Sequence, residues 1–225
     1  MYPNTGIIWR VTHVSGVSAA EPPPKNMHLS PELTVTYNSG PPPPTSIFNL
    51  SPGYKIEPVL WNVNIPGSIA FDNKGNMYIG EIGFAYVGLN IQSRILKVDH
   101  QTANVSVFVD RGLDRLLTSM TYHNGLLYVS KRERVSTVDM KGMVRDLIVS
   151  LPGIGDHYVD GFAFGPDGRM YFGVGTATNS GIVGHDNPWA KATREFHDIP
   201  GKTITLTAAG QCYREHTVLQ QSQAK

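Results

Sequence analysis

From residue 66 onward, the chain is a series of short stretches in which apolar and polar residues alternate, separated by polar turns that end in glycine. Three of these stretches align with one another around the turn glycines Gly75, Gly125 and Gly168. Each has an apolar strand, a turn, and a second strand with a tyrosine at a fixed offset from the glycine. Glycine tolerates the positive φ angle of tight turns, so the pattern predicts three β-hairpins.

The first two hairpins are each followed by two more alternating stretches, at 94–99 and 105–109 and again at 134–139 and 144–149. Four short strands in about 40–50 residues is the period of a β-propeller blade. No stretch of about ten residues keeps a helical period. The sequence therefore predicts an all-β fold built of propeller blades, with room for about three of them after residue 67.

Three blades do not make a closed ring, since propellers typically have about 4–8 of them and an open edge leaves strand groups unpaired. Three explanations stay open at this point. The chain is a truncated part of a larger propeller, it completes itself by self-association, or its third blade is irregular.

The first 66 residues hold 12 of the 16 prolines, including the runs 22–24 and 41–44. Proline lacks the donor that a sheet interior needs, so residues 15–46 are predicted to be extended or disordered. A linker is the simpler interpretation, and a ligand for a proline-binding domain is the alternative. The predicted domains, in order, are a proline-rich and partly disordered arm at 1–52, a partial propeller at 53–207, and a polar tail at 208–225.

The composition limits the kinds of partner and environment that we expect for this chain. The net charge is +1 and the basic residues are scattered, which argues against nucleic acid. The basic run from Lys131 to Arg134 is interpreted as a solvated strand end or loop.

The single cysteine, Cys212, excludes an internal disulfide and is expected to be inert. No apolar run approaches the length of a membrane span, and no signal peptide is visible, which indicates a cytoplasmic protein or a chain without its natural start.

Candidate chemistry lies in three adjacent pairs, Asp156-His157, His185-Asp186 and His197-Asp198. Neighbours on a strand point to opposite faces, but a loop lifts that restriction. His157 follows such a loop, between the last strand of one predicted blade and the first of the next, where propeller pockets form near the central channel. A catalytic base and a structural or solvated histidine both fit this position.

The stretch 176–181 offers hydroxyl and amide groups after a strand that is predicted to start next to His157. Such groups suit sugar recognition, because each sugar hydroxyl needs a polar partner. A plain turn explains the same residues. Phosphate-loop, dinucleotide-binding, nucleophile-elbow and paired metal-ligand spacings do not occur in the sequence.

These residues also carry a family likeness. Gly155-Asp156-His157, followed by Phe-Gly-Pro-Asp-Gly at 164–168 and by the segment 175–184, resembles the soluble quinoprotein glucose/sorbosone dehydrogenases. The stretches 75–81 and 94–98 look like the first blade of that family, and 197–202 fits a variable stretch that follows in one branch. The likeness covers about 53–207.

The resemblance implies a six-bladed propeller that binds pyrroloquinoline quinone and calcium and oxidises aldose sugars at the anomeric carbon. It implies that His157 is the general base that removes the sugar hydroxyl proton, and that Asp156 helps to hold the sugar. Thr178 and Asn179, from the polar stretch 176–181, are the further candidates for substrate binding. Histidine suits that role because its charge changes near neutral pH. A periplasmic or extracellular location follows from the same likeness.

The sequence departs from the family at one point. In the family, the basic residues that bind the quinone and the groups that ligate calcium come mostly from later blades, and this chain stops before them. The resemblance therefore implies the domain type but not activity of this chain alone. A non-catalytic propeller module that binds carbohydrate or protein is the alternative function, and a truncated product without a stable fold is the third interpretation.

Overall fold

The computed structural model describes residues 5–14, 37–83, 92–114, 116–151 and 157–175, and within them every regular element is a β-strand. In chain order the strands are β1 (Thr5–His13), β2 (Tyr54–Asn64), β3 (Pro66–Phe71), β4 (Met77–Glu81), β5 (Arg94–Val98), β6 (Val105–Val109), β7 (Leu117–His123), β8 (Leu126–Lys131), β9 (Arg134–Asp139), β10 (Val144–Ile148), β11 (Val159–Phe164) and β12 (Met170–Val174).

The strands form two complete four-stranded antiparallel sheets and two pairs. Blade 1 has the order β3-β4-β5-β6 and blade 2 the order β7-β8-β9-β10, so each sheet is a simple meander. Strands β1 and β2 form one pair, and β11 and β12 form the other. The three hairpins and the four additional strands predicted from the alternation are thereby confirmed.

The first strands of three sheets, β3, β7 and β11, lie side by side. Strand β7 packs beside β3 on one side and beside β11 on the other. The Thr118 hydroxyl of β7 donates a hydrogen bond of 2.8 Å to the carbonyl of Val159 in β11. Sheets that meet along their first strands, with consecutive sheets packed face to face, are the blades of a β-propeller. The described residues are thus a partial β-propeller, as the sequence predicts.

Blades 1 and 2 enclose the main core. Alternation along each strand puts one set of apolar side chains on the shared face, and these side chains are at most 7% exposed. They are Ala70, Tyr78, Ile95 and Val109 from blade 1, Leu117, Met120, Leu127, Val129 and Val138 from blade 2, and Leu113 from the connection.

The pair β1–β2 covers the other face of blade 1. Ile8, Leu60 and Val63 pack there against blade 1 residues that include Ile79 and Leu96. Strand β1 lies within the segment predicted as a proline-rich arm, and the sequence analysis did not identify it. Its partner β2 begins 40 residues after it ends, so no hairpin turn marks the pairing. Residues 15–36 and the tail 208–225 lie outside the described residues, and the domain boundaries stay predictions.

Aspartates stabilise the turns at one end of the blades. Asp72, Asp99 and Asp139 each accept two backbone N–H groups from the following four residues, at 2.9–3.1 Å. These bonds favour the ionised form and lower the pKa of Asp99 and of Asp139. Partial burial raises the pKa of Asp72, but hydrogen bonds from Asn76, Lys74 and Tyr78 outweigh it and lower the pKa overall.

This arrangement predicts a loss of stability in acid. A carboxyl whose folded-state pKa is lowered stabilises the fold above its unfolded pKa, which is about 3.9 for aspartate, and that stabilisation is lost as the pH falls further. We expect the urea midpoint of unfolding to be constant between about pH 7 and 5 for these groups and to fall below about pH 4. The slope of that fall should be shallower in Asp72→Ala, and an equal slope would contradict the assignment.

Candidate functional site

One end of the blades carries the residue predicted to be catalytic. In an antiparallel meander, every second connection lies at the same end of the sheet. The β6–β7 and β10–β11 connections therefore share an end with the β4–β5 and β8–β9 connections, and His157 lies in the β10–β11 connection. We call this end the His157 face. The aspartate turns lie at the opposite end. Connection lengths on the His157 face differ widely, since β4–β5 spans 82–93 and β8–β9 spans 132–133.

His157 is exposed and stands directly before the innermost strand β11. The chain returns beside it after β12, where the Gly175 N–H donates a hydrogen bond of 3.1 Å to the carbonyl of Tyr158. A Cβ atom at position 175 would lie 2.4 Å from the Cβ of His157. Only glycine therefore allows this close approach of the chain to His157 at residue 175.

The other predicted site residues cannot be placed beside it. Asp156, Thr178, Asn179, His185 and His197 lie outside the described residues. Their roles stay predictions.

The same face has a cavity of about 490 Å³ between blades 1 and 2. His157 is not among the described residues that line it. The lining is mostly polar and charged: Gln92, Leu113, Asp114, Lys131, Arg132, Glu133 and Arg134. The Gln92 side chain is fixed by a hydrogen bond of 2.6 Å to the Leu113 carbonyl, so the wall of this cavity is held by its own contacts.

Asp146 joins two of the three cations of this cavity, Lys131 and Arg134, into one network. Its Oδ1 accepts hydrogen bonds from Lys131 Nζ at 2.9 Å and Ser136 Oγ at 2.7 Å, and its Oδ2 accepts one from Arg134 Nη1 at 2.5 Å. Lys131 Nζ also donates to the Gly112 carbonyl at 3.0 Å. The bond from Ser136, with those from Lys131 and Arg134, holds the pKa of Asp146 far below its usual range.

The interpretation of the run from Lys131 to Arg134 as solvated was wrong for Lys131, whose side chain is only 3% exposed. Lys131 follows Leu127 and Val129 at intervals of two, and all three are buried. The period of a strand therefore puts Lys131 on the core side. This period of two is visible in the sequence, but the interpretation was based on the charge of the run instead.

A second buried ion pair lies on this face, inside blade 1. The fully buried Glu81 pairs with Arg94 Nη2 at 2.6 Å through Oε2, and its Oε1 accepts the Asn64 N–H at 2.9 Å. Arg94 also donates to the Tyr37 hydroxyl at 3.3 Å. Burial is the largest influence on the pKa of Glu81 and raises it, against the attraction of Arg94. Burial and the charge of Glu81 raise the pKa of Tyr37 to about 12.

A second cavity, of about 590 Å³, lies at the opposite end. Asp72, Tyr78, Lys97, Asp99 and His100 are among the residues lining it. The Tyr78 hydroxyl donates a hydrogen bond of 3.1 Å to Asp72 Oδ2. Two polar groups of this cavity are therefore used to stabilise the Asp72 turn. In the described residues, no group of three or more histidine, cysteine, aspartate or glutamate side chains is placed to hold a metal ion. The same residues contain no helix long and apolar enough to span a membrane.

Comparison with known proteins adds little to this geometry. No protein-family model and no curated protein sequence matches the chain. Solved structures do match at low similarity. A gluconolactonase from Xanthomonas campestris is 15% identical, with a TM-score of 0.41, over 55% of this chain and 39% of that one. A catalytically inactive virginiamycin B lyase from Staphylococcus aureus, with quinupristin, is 15% identical, with a TM-score of 0.37, over 48% and 34%.

A chain from a nidogen/laminin complex is also 15% identical, with a TM-score of 0.41, over 52% of this chain and 43% of that one. The matched part of the present chain thus spans less than half of each of these structures. The class of this protein, a partial β-propeller, rests on the strand order and blade packing described above.

Proposed function

We propose that this chain is a sugar-acting β-propeller protein of the quinoprotein dehydrogenase type, in which His157 accepts the proton of a sugar hydroxyl. The observation that carries the proposal is the position of His157. It is exposed before an innermost strand, and it lies against Gly175, which the polar stretch 176–181 follows in the sequence. The sequence resemblance around 155–184 supports the same role. By that resemblance, we place the protein in the periplasm or outside the cell.

The side chains of the protein need to supply only the proton transfer of this reaction. Oxidation of a hydroxyl removes a proton from oxygen and a hydride from carbon. A neutral imidazole within hydrogen-bond reach takes the proton, which is worth about 10²–10⁴ in rate. The hydride needs a bound oxidant, because such chemistry belongs to cofactors rather than side chains. Asp156, Thr178 and Asn179 would hold the sugar in the orientation that presents its hydroxyl to His157.

The described residues supply only part of what the expected cofactors would need. A quinone with several carboxylates needs free cations, and of the three cations that line the charged cavity, Lys131 and Arg134 are already bound to Asp146, which leaves Arg132. No described cluster suits calcium. No step is therefore derived through these groups, and pyrroloquinoline quinone and calcium stay expectations from the resemblance.

The test is sugar oxidation followed by dye reduction, with the chain supplied with pyrroloquinoline quinone, calcium and glucose. We expect His157→Ala to lower the rate at least about 100-fold. The matched control is His100→Ala, which removes a histidine at the opposite end of the blades. Activity that survives His157→Ala unchanged would overturn the role of His157.

The alternative is a non-catalytic propeller module that binds carbohydrate or protein. The charged cavity beside Gln92 and Asp114 favours it, because its groups suit recognition of a polar ligand. Titration calorimetry with pyrroloquinoline quinone separates the two functions. Tight quinone binding by the chain would count against the module, whereas saccharide binding without quinone binding or dye reduction would support it.

A further inference from the structure

The two strand pairs at the ends of the row of blades are complementary halves. Strand β11 lies beside β7 as β7 lies beside β3, so β11 and β12 correspond to the first and second strands of a blade. Strand β2 leads directly into β3, as β6 leads into β7 and β10 into β11. The pair β1–β2 therefore corresponds to the third and fourth strands of a blade.

We infer that two copies of this chain associate head to tail, with β12 of each copy pairing with β1 of the other. Each composite blade would contain β11 and β12 from one copy and β1 and β2 from its partner. The pairing direction is consistent, because the second and third strands of blades 1 and 2 are antiparallel and a composite blade repeats that order.

The number of strands in the described residues fits two copies. The 12 described strands amount to three blades of four. Two copies supply six blades, within the usual range of about 4–8, whereas three copies would supply nine. A head-to-tail contact closes into a ring when its rotation divides the circle, and two-fold rings are the commonest closed assemblies.

Exposed apolar residues mark the surfaces that the partner would cover. Strand β6 packs against blade 2, where Val109 is buried and Phe108 is partly buried in the shared core. The equivalent strand β10 has no outer strands of a third blade beside it among the described residues, and Leu147 on β10 and Val149 just after it are each 53% exposed. On β1, Val11 is 57% exposed. A partner's β1–β2 pair laid beside β12 would cover β10 with the face that carries Val11.

Closure would also complete the candidate site. The innermost strands β3, β7 and β11 of one copy line only half of a ring. The partner copy would supply the other three strands and a second His157 on the same face. This inference does not depend on the proposed function, because it rests on the strand pairs alone.

The test is the mass of the full chain in solution, by sedimentation or light scattering. We expect twice the chain mass at micromolar concentration. Leu147→Asp and Val11→Asp each place a charge in the proposed contact, so each should weaken association at least about 100-fold. Both side chains are exposed in the single chain, and the circular dichroism spectrum should not change. The control is Phe71→Asp, which alters an equally exposed residue at the end of β3 in blade 1.

A mixture of the two variants tests the head-to-tail geometry. Leu147→Asp leaves the β1 side intact and Val11→Asp leaves the β12 side intact, so the mixture retains one good contact. We expect the mixture to form dimers where each variant alone is monomeric. A wild-type chain that stays monomeric at high concentration, or a mixture that does not associate, would overturn the inference.

Discussion

Arg94→Ala is expected to lower the free energy of unfolding by about 3–5 kcal/mol, which is the usual cost of removing one partner of a buried ion pair. The fully buried Glu81 loses its cation and keeps only the Asn64 N–H as a donor named in the structure. The pair also joins blade 1 to Tyr37 and to the end of β2. Loss of Arg94 thus weakens the packing of the β1–β2 pair against blade 1.

The pH dependence of this loss separates charge from packing. A carboxyl whose folded-state pKa is raised favours the fold at low pH, and that advantage disappears as the pH rises through the folded-state value. Burial already raises the pKa of Glu81, and without Arg94 nothing comparable opposes it. The deficit of Arg94→Ala should therefore be smaller at pH 5 than at pH 7.

Urea denaturation at both pH values, at fixed chain concentration, measures the effect. Arg169→Ala is the matched control, because Arg169 is 79% exposed and pairs only with the surface residue Asp167 among the contacts described. Its removal should cost less than about 1 kcal/mol. An Arg94→Ala deficit that is the same at pH 5 and pH 7 would show that lost packing, not the buried charge, is responsible.

Asp146→Ala is the second large expected effect, a loss of about 3 kcal/mol. Lys131 is buried, and without Asp146 its ammonium group keeps the Gly112 carbonyl and a distant contact with Asp114 at 3.9 Å. The value lies at the lower end for a buried pair because the Asp146 side chain is 31% exposed. Arg134 loses less, since it is itself partly exposed.

A double-mutant cycle tests the cause. Replacing Lys131 by methionine in the Asp146→Ala background removes the unpaired charge while keeping the apolar stem, and it should recover most of the stability. Asp110→Ala is the control, because Asp110 is 61% exposed and lies on the same connection as Gly112. If the double variant is no more stable than Asp146→Ala, the unpaired lysine is not the source of the loss.

The sequence predicts the blades well and the ion pairs poorly, for a physical reason. Strands β3 to β12 follow from local signals, since alternation and turn glycines act between neighbours. Strand β1 pairs with a strand that lies far along the chain, and no local pattern records that pairing. Lys131 and Glu81 occupy core positions of their strands, but only the fold shows which opposite charges meet them.

The candidate site also has a part that the sequence predicts and a part that it does not. The position of His157 before β11 was predicted from the blade repeat, and the structure agrees. The contact with Gly175 follows from the pairing of β11 with β12, which the repeat also implies. The charged cavity was not predicted, because it joins Gln92, Leu113 and Lys131 from connections that lie far apart in the sequence.

The unequal connections on the His157 face have a use in engineering. Twelve residues join β4 to β5, but only Arg132 and Glu133 join β8 to β9, and both sheets have the same strand order. Lengthening a surface loop costs little entropy, about 0.6 kcal/mol for each doubling. A reporter peptide or a binding loop grafted between Arg132 and Glu133 would be displayed on the side where His157 lies, provided that the insert preserves the backbone hydrogen bonds of these two residues to Leu116 and Leu151.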